Sequence, residues 1–471
     1  MINFSEKTQS ILKNIFYQLL ILYTILILLS YLKFIPYFHY EYLAVIISLI
    51  GIFSIKNNKT ININKALIII PLLFILIIRI IPYLKFNIPL GFDAGIYKYL
   101  FEHFGSTETF SEPKGLYVLT SILLLFNNTE FLLKYFIIFL ELLTGFFIFL
   151  VARKYFNKEA GFLSLLIYSI SVTQFKAFTL MYYKNILAIL FLLIILYYYE
   201  NNFIFVITAA LLSGTHTPIF LIFMLSYFIC SINNLKKYLP RLILIAILGS
   251  PFYLTNLKLL EPIKNIENIG AGNFITLETY LFFSLSYLIF SLLGVFKSIK
   301  EKKINLLTTL LVINGIIVIF KLFFFNRYII SFDILLILFS GYGLYLLLSD
   351  KRILSIVLSS LLLLSSMFFI INEAIKIQPE ITKEKLDEII SLPDGKILTE
   401  RKYAPWILAY KEAVIAPSLF GDDSSKPEWE NLFSGKNYSL LEKYKPDYIY
   451  LDNDLNHPCV HKKDYYYYYQ C

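Results

Sequence analysis

The sequence predicts an α-helical polytopic membrane protein with about thirteen transmembrane helices and a small C-terminal α/β domain outside the membrane. Three observations predict it. The 471 residues are 58% hydrophobic and 16% charged, with a mean hydropathy of +0.68, whereas a soluble domain carries roughly 25% charged residues. The apolar residues come in runs long enough to cross a bilayer. From about residue 373 the runs stop and a mixed polar pattern takes over. This composition excludes an ordinary cytosolic enzyme, a disordered regulator and a disulfide scaffold.

Taken in order, spans are expected near 12–32, 41–55, 66–83, 130–151, 160–180, 184–200, 202–214, 217–232, 239–255, 276–296, 304–321, 328–348 and 353–372. The stretch 160–232 is almost continuously apolar, and only YYKN (182–185), YYYENN (197–202) and GTHTP (214–218) interrupt it. The segment 115–126 is too short to span comfortably and is expected along the interface. The N-terminus has no cleavage site after its apolar run, so it reads as an uncleaved first span.

Basic residues set the orientation. They cluster at Lys56, Lys59 and Lys65; at Arg153, Lys154 and Lys158; at Lys236, Lys237 and Arg241; at Lys297, Lys300, Lys302 and Lys303; and at Lys351 and Arg352. Thirteen spans with a cytoplasmic N-terminus put all five clusters inside. The loop 84–129 then lies outside, as do 256–275 and the C-terminal domain. The domains are therefore 1–372, a membrane domain with outer loop 84–129, and 373–471, an extracytoplasmic α/β domain. The formal net charge of +9 divides unevenly. Residues from 373 onward carry 13 basic and 17 acidic groups, and the membrane part carries 29 and 16. The excess is chiefly a topology signal and does not point to nucleic acid.

In the C-terminal domain ITKEKLDEIISL is an amphipathic helix ending at Pro393-Asp394-Gly395. KILTE, AVIAP and DYIYLD read as strands. APWILAY, PEWENLF and YSLLEKY read as helices, and the alternation suggests a parallel sheet. The tyrosine-rich tail is assigned no structure. Of the three cysteines, Cys230, Cys459 and Cys471, the last two could pair outside the cell.

The chemistry-bearing residues begin with Gly91-Phe92-Asp93-Ala94-Gly95-Ile96-Tyr97 in the first large outer loop. Asp93 lies close to the start of a short amphipathic helix, where a carboxylate can cap the helix. At the membrane surface it could also accept a proton from an attacking nucleophile.

A membrane protein with about thirteen spans, Asp93 in the first outer loop, an interfacial helix after it and a C-terminal outer domain resembles the GT-C glycosyltransferase superfamily. Within it the chain is most similar to dolichyl-phosphate-mannose–protein mannosyltransferases and aminoarabinose transferases, including archaeal relatives. The resemblance implies a catalytic or acceptor-positioning role for Asp93. The mannosyltransferase branch has an Asp-Glu pair there, and here Ala94 replaces the Glu. Oligosaccharyltransferases carry a Trp-Trp-Asp motif in the outer domain. This chain has only Trp406 and Trp429, far apart, which argues against that branch.

Arg327 is expected at the outer mouth of the twelfth span. It could anchor at the interface by snorkelling, or its planar fork could hold a lipid phosphate. The Arg-aromatic start of this helix is similar to a phosphate-binding position in related enzymes. Lys184, in Met181-Tyr182-Tyr183-Lys184-Asn185, could assist the phosphate or snorkel, and Lys176 is a weaker version of the same idea. His216, in Thr215-His216-Thr217-Pro218, marks either a helix break or the lining of a polar cavity. Arg79, Glu141 and Asp333 are intramembrane charges for which pairing is expected, and Arg79 could approach Asp93. Glu102 and His103 follow Asp93 on the same short helix as supporting groups.

The expected function is transfer of a sugar from a polyprenyl (dolichyl) phosphate donor to a glycan, protein or lipid acceptor at the outer face, with inversion at C1. No cofactor is required, although a divalent metal is possible. The alternatives are a lipid or polysaccharide flippase without chemistry, and an assembly protein whose outer domain binds a partner.

Overall fold

The computed structural model describes residues 6–55, 64–103, 115–232, 235–253, 274–301, 305–322, 325–350, 353–411, 413–417 and 426–470. The chain runs α1 (Glu6–Tyr31), α2 (Glu41–Ser54), α3 (Ile69–Phe86), α4 (Asp93–Glu102), α5 (Gly115–Leu124), α6 (Thr129–Tyr155), α7 (Lys158–Ser169), α8 (Val172–Thr179), α9 (Tyr183–Tyr197) and α10 (Asn202–Thr215). It continues with α11 (Thr217–Ser231), α12 (Leu235–Tyr253), α13 (Leu277–Lys300), α14 (Leu306–Ile319), α15 (Phe325–Ser349) and α16 (Ile353–Lys376).

Each expected span coincides with a helix, but the helices differ in reach. Six are long and apolar enough to cross a bilayer: α1, α3, α6, α13, α15 and α16. The expected span 160–180 is broken. It forms α7 and α8, which meet at 52°, and Ser171 between them caps α8 by accepting from the Gln174 N–H. Five others, α2, α9, α10, α11 and α14, are apolar but only 10–17 residues long. α15 is the centre of the bundle, with 94% of its apolar window buried. The segment 115–126 is the ten-residue helix α5 followed by a turn.

The helices gather the expected inner loops at one end. There Lys13 pairs with Asp350 at 2.6 Å. Lys300 Nζ donates to the Ile52 carbonyl at 3.4 Å and Lys154 Nζ to the Tyr197 carbonyl at 2.7 Å. Arg241 donates to Asn202 Oδ1 at 2.6 Å and to the Tyr199 carbonyl at 3.1 Å. Lys56, Lys59, Lys302, Lys303, Lys351 and Arg352 lie outside the described residues.

The C-terminal domain sits on the opposite end. It comprises α17 (Lys383–Ser391), β1 (Ile397–Thr399), α18 (Ala404–Lys411), β2 (Val414–Ile415), α19 (Lys426–Phe433), α20 (Ser439–Tyr444), β3 (Tyr448–Tyr450), β4 (Val460–Lys463) and β5 (Tyr466–Tyr469). The sheet order is β2-β1-β3-β5-β4. β1 pairs in parallel with β2 and β3, as expected. The tail departs from expectation: β4 and β5 form an antiparallel hairpin on β3, so the sheet is mixed. Asp464 adopts φ +51° at the turn, and Tyr466 and Tyr467 are buried. Tyrosine is a strong strand former, and low complexity hides that here. Cys459 is disulfide-bonded and Cys230 is a free thiol, while Cys471 lies outside the described residues.

The boundary near 372 is not a break in packing. α16 runs on to Lys376, and one apolar core joins Ala94, Ile96 and Tyr97 of α4 to Ile397, Tyr403, Trp406 and Tyr450 of the C-terminal domain.

Candidate functional site at the domain end of the bundle

The Asp93 loop is built by close approach. Asn87 ends α3 with φ +53°, and its carbonyl and side-chain oxygen each accept from Lys134 Nζ at 3.3 Å. Lys134 is buried within a π-helical turn of α6, Leu132–Phe136, a distortion that often marks functional places. Gly91 then turns at φ +74°, and a Cβ there would lie 2.8 Å from the Leu180 carbonyl group. The residue must be small and free to adopt positive φ. The Asp93 loop therefore rests on the 180–182 connection between α8 and α9.

Asp93 is the first residue of α4. Phe92 precedes it at the N-cap position. The Asp93 carboxylate lies at the positive end of the helix dipole. On the other side of α4, a Cβ at Gly95 would fall 2.5 Å from the Pro405 carbonyl. This contact seats α18 of the C-terminal domain on the helix that begins with Asp93. Lys98 faces the Tyr410 ring at 4.8 Å, and the Tyr410 hydroxyl donates to Glu130 at 2.9 Å.

Tyr182 is where the distant parts converge. Burial pushes its phenol up to about 12, while Arg327 draws it down and Asp93 pushes it up. Both charges therefore act at one side chain, although they come from the first loop and from α15. Arg327 is exposed in the first turn of α15, and Lys184, half-buried, is in the first turn of α9. Next to Lys184, the Tyr183 ring packs on Tyr97 and Phe101 of α4 at 5.8 and 5.6 Å. Asp93, Arg327 and Lys184 each stand at a helix start, and the packing of Tyr183 on α4 links the helices of Asp93 and Lys184.

The remaining candidates have partners of their own. His216 caps α11, its Nδ1 accepting from the Ile219 N–H at 3.2 Å, so Thr215-His216-Thr217-Pro218 is a helix break with a built cap. Glu102 pairs with Lys98 at 2.6 Å. The His103 ring stacks on Tyr99 at 4.5 Å. At 1.5 Å rise per residue both are about 14 Å along α4 from Asp93, too far to support its carboxylate. Arg79, which sequence position allowed near Asp93, is held inside the bundle: its Nε donates to Glu141 at 2.6 Å, both fully buried. The Tyr168 hydroxyl also donates to Glu141, at 2.8 Å. Asp333 is completed by Ser171, Gln174 and Tyr287 at 3.0, 2.8 and 2.5 Å. Lys176 pairs with Glu373 at 2.7 Å.

Sequence reasoning missed Tyr182, Lys134 and Gly95. A lysine inside the apolar run Leu132-Leu133-Lys134 and a glycine two residues into an amphipathic helix were the available signals.

No protein-family profile and no curated protein matches the chain. Solved structures do match in fold. The archaeal oligosaccharyltransferase AglB from Archaeoglobus fulgidus, in complex with an inhibitory peptide and a dolichol-phosphate, gives a TM-score of 0.60 at 13% identity, covering 82% of this chain and 69% of that chain. The Archaeoglobus fulgidus oligosaccharyltransferase in complex with Zn and sulfate gives 0.58 at 14%, covering 82% and 68%. Its form tethered to an acceptor peptide containing the NVT sequon gives 0.57 at 14%, covering 82% and 69%. At this identity the likeness shows the fold alone. The Trp-Trp-Asp motif remains absent from this chain.

Among the described residues no group of three or more His, Cys, Asp or Glu side chains is placed to hold a metal ion. Glu108 and Glu112, in the same loop as Asp93, lie outside the described residues.

Proposed function

We propose that this GT-C-fold chain is a membrane glycosyltransferase that moves a sugar from a polyprenyl (dolichyl-type) phosphate to an acceptor at the face of the membrane bearing the C-terminal domain. The carrying observation is that Gly91 seats the Asp93 loop on the 180–182 connection, beside Tyr182, whose phenol the Arg327 charge also reaches. A carboxylate and a guanidinium so placed match the two ends of one displacement. An acceptor hydroxyl attacks C1 of the sugar from the face opposite the phosphate. Its oxygen bonds to C1, its proton passes to Asp93 and the bond from C1 to the phosphate oxygen breaks, which inverts C1. The phosphate that leaves gains charge, and Arg327, assisted by Lys184, stabilises it. Both cations lie in helix first turns, where backbone N–H groups and the dipole also favour an anion.

The dolichol-phosphate bound to AglB supports a lipid-phosphate donor. The acceptor peptide tethered to the related structure keeps a protein among the acceptor classes, with glycan and lipid. The C-terminal domain would face away from the cytoplasm and the basic end into it, in keeping with the positive-inside rule. The membrane domain would comprise 1–372 and the extracytoplasmic domain 373–471.

The test is transfer of labelled sugar from a polyprenyl-phosphate donor by reconstituted protein. Asp93→Asn should lower the rate by about 10²–10⁴ with an unchanged melting temperature. Full activity in that variant would sink the assignment. Movement of donor lipid across the bilayer without any transfer would favour a flippase instead.

A further inference from the structure

A second place at the domain end has the makings of a binding site and lies outside the chemistry above. The end of α1, the segment after it and the early part of α13 border an open groove of about 480 Å³ lined by Ser30, Lys33, Phe34, Ile35, Pro36, Tyr37 and Phe282. Its walls are mostly hydrocarbon and aromatic. Its polar groups are few and not engaged with each other. Ser30 is 4% exposed, and its Oγ has no hydrogen-bond partner among the described residues. A buried hydroxyl left unpaired is costly and calls for an explanation.

Lys33 gives a second, independent pointer. It terminates α1 with φ +62°, and its N–H bonds the Ser30 carbonyl at 3.0 Å while the Phe34 N–H bonds the Leu29 carbonyl at 2.9 Å. A helix stop of this left-handed kind favours glycine, and a lysine there bears a backbone cost. Such an outlier is a reason to look for what the side chain does. The nearby carboxylate Glu41 is already held by the Tyr37 hydroxyl at 2.5 Å and by His39 at 2.9 Å. Phe34 and Phe38, each 75% exposed, extend the apolar surface beyond the groove.

We propose that this groove binds an anionic bilayer phospholipid, with the Ser30 hydroxyl and the Lys33 ammonium on the phosphate and the chain along Phe34, Ile35, Pro36 and Phe282. Charge complementarity selects this occupant: an exposed cation stands at the rim of the groove and an unpaired hydroxyl is buried in its lining, among otherwise mostly apolar residues. The site is independent of the role given to Asp93.

Native mass spectrometry of the full chain, with phosphatidylglycerol or phosphatidylcholine as the probe, tests it. One phosphatidylglycerol should be retained roughly tenfold more tightly than phosphatidylcholine. Lys33→Glu should erase the preference, Ser30→Ala should weaken it several-fold and Lys33→Arg should keep it. Melting temperatures close to the parent's show that the variants fold. Equal retention of the two lipids overturns the proposal, as does an unchanged preference in a folded Lys33→Glu. Displacement of the bound phospholipid by stoichiometric polyprenyl phosphate assigns the groove to the carrier lipid and also overturns it.

Discussion

The two ends of the bundle use their cations differently. At the basic end, Lys154, Lys300 and Arg241 donate to backbone carbonyls at or just beyond the C-termini of α9 and α2. A cation there complements the negative end of the dipole and is absorbed into the fold. At the domain end, Arg327 and Lys184 stand in the first turns of α15 and α9. The helix ends there present N–H groups of the same polarity, so the arrangement suits an anion from outside. The position of a basic residue along its helix therefore separates these two groups, and its residue type alone does not.

Paired variants at the two ends test that contrast most severely. Asp93→Asn should cost about 10²–10⁴ in transfer rate, whereas Arg153→Ala at the basic end should leave the rate within about twofold. Equal losses would break the distinction. Next in size is the buried pair between the ends: Glu141→Ala strands Arg79 in the bundle and should cost about 3–5 kcal/mol, read as denaturant midpoint and slope. The seat of the C-terminal domain comes third. Gly95→Val places a side chain against the Pro405 backbone and should cost about 1–3 kcal/mol, with faster proteolysis of residues beyond 376 as the readout.

The smallest effect sharpens the comparison by locating a charge that is merely local. Burial would raise the Asp452 carboxyl, yet hydrogen bonds from Lys402 and Tyr403 hold it below its ordinary value. A carboxyl depressed on folding contributes stability above its unfolded value, near pH 4. That contribution is lost as pH falls through the lower folded value. Asp452→Asn should remove less than about 1 kcal/mol, since the pair is half exposed. Melting curves of variant and parent at neutral pH and below about pH 4 should converge on the acid side.

Much of this was readable from residue order alone. Apolar runs, and lysines that recur in alternate loops, marked where the helices lie and sorted the loops into two sets, although six of the helices among the described residues are long enough to cross a bilayer and the expected span 160–180 is two helices. Both signals are local, because a span or a basic loop is defined by neighbours in sequence. The parallel strands β1, β2 and β3 were legible for the same reason. Asp93, Arg327 and Lys184 could be named one at a time as polar interruptions of apolar stretches.

Tertiary structure alone decided which of these residues pack near one another. Nothing in their spacing seats the Asp93 loop on the 180–182 connection, or sends Arg79 to Glu141. The break at Ser171, the turn at Gly91 and the contact of Gly95 with Pro405 decide it. Each is a close approach between segments far apart in the chain, and its energy depends on distances of a few ångströms that no local pattern encodes. The β4–β5 hairpin has the same origin. A run of tyrosines becomes a strand only when β3 offers its edge, so its structure belongs to the pairing and not to the run.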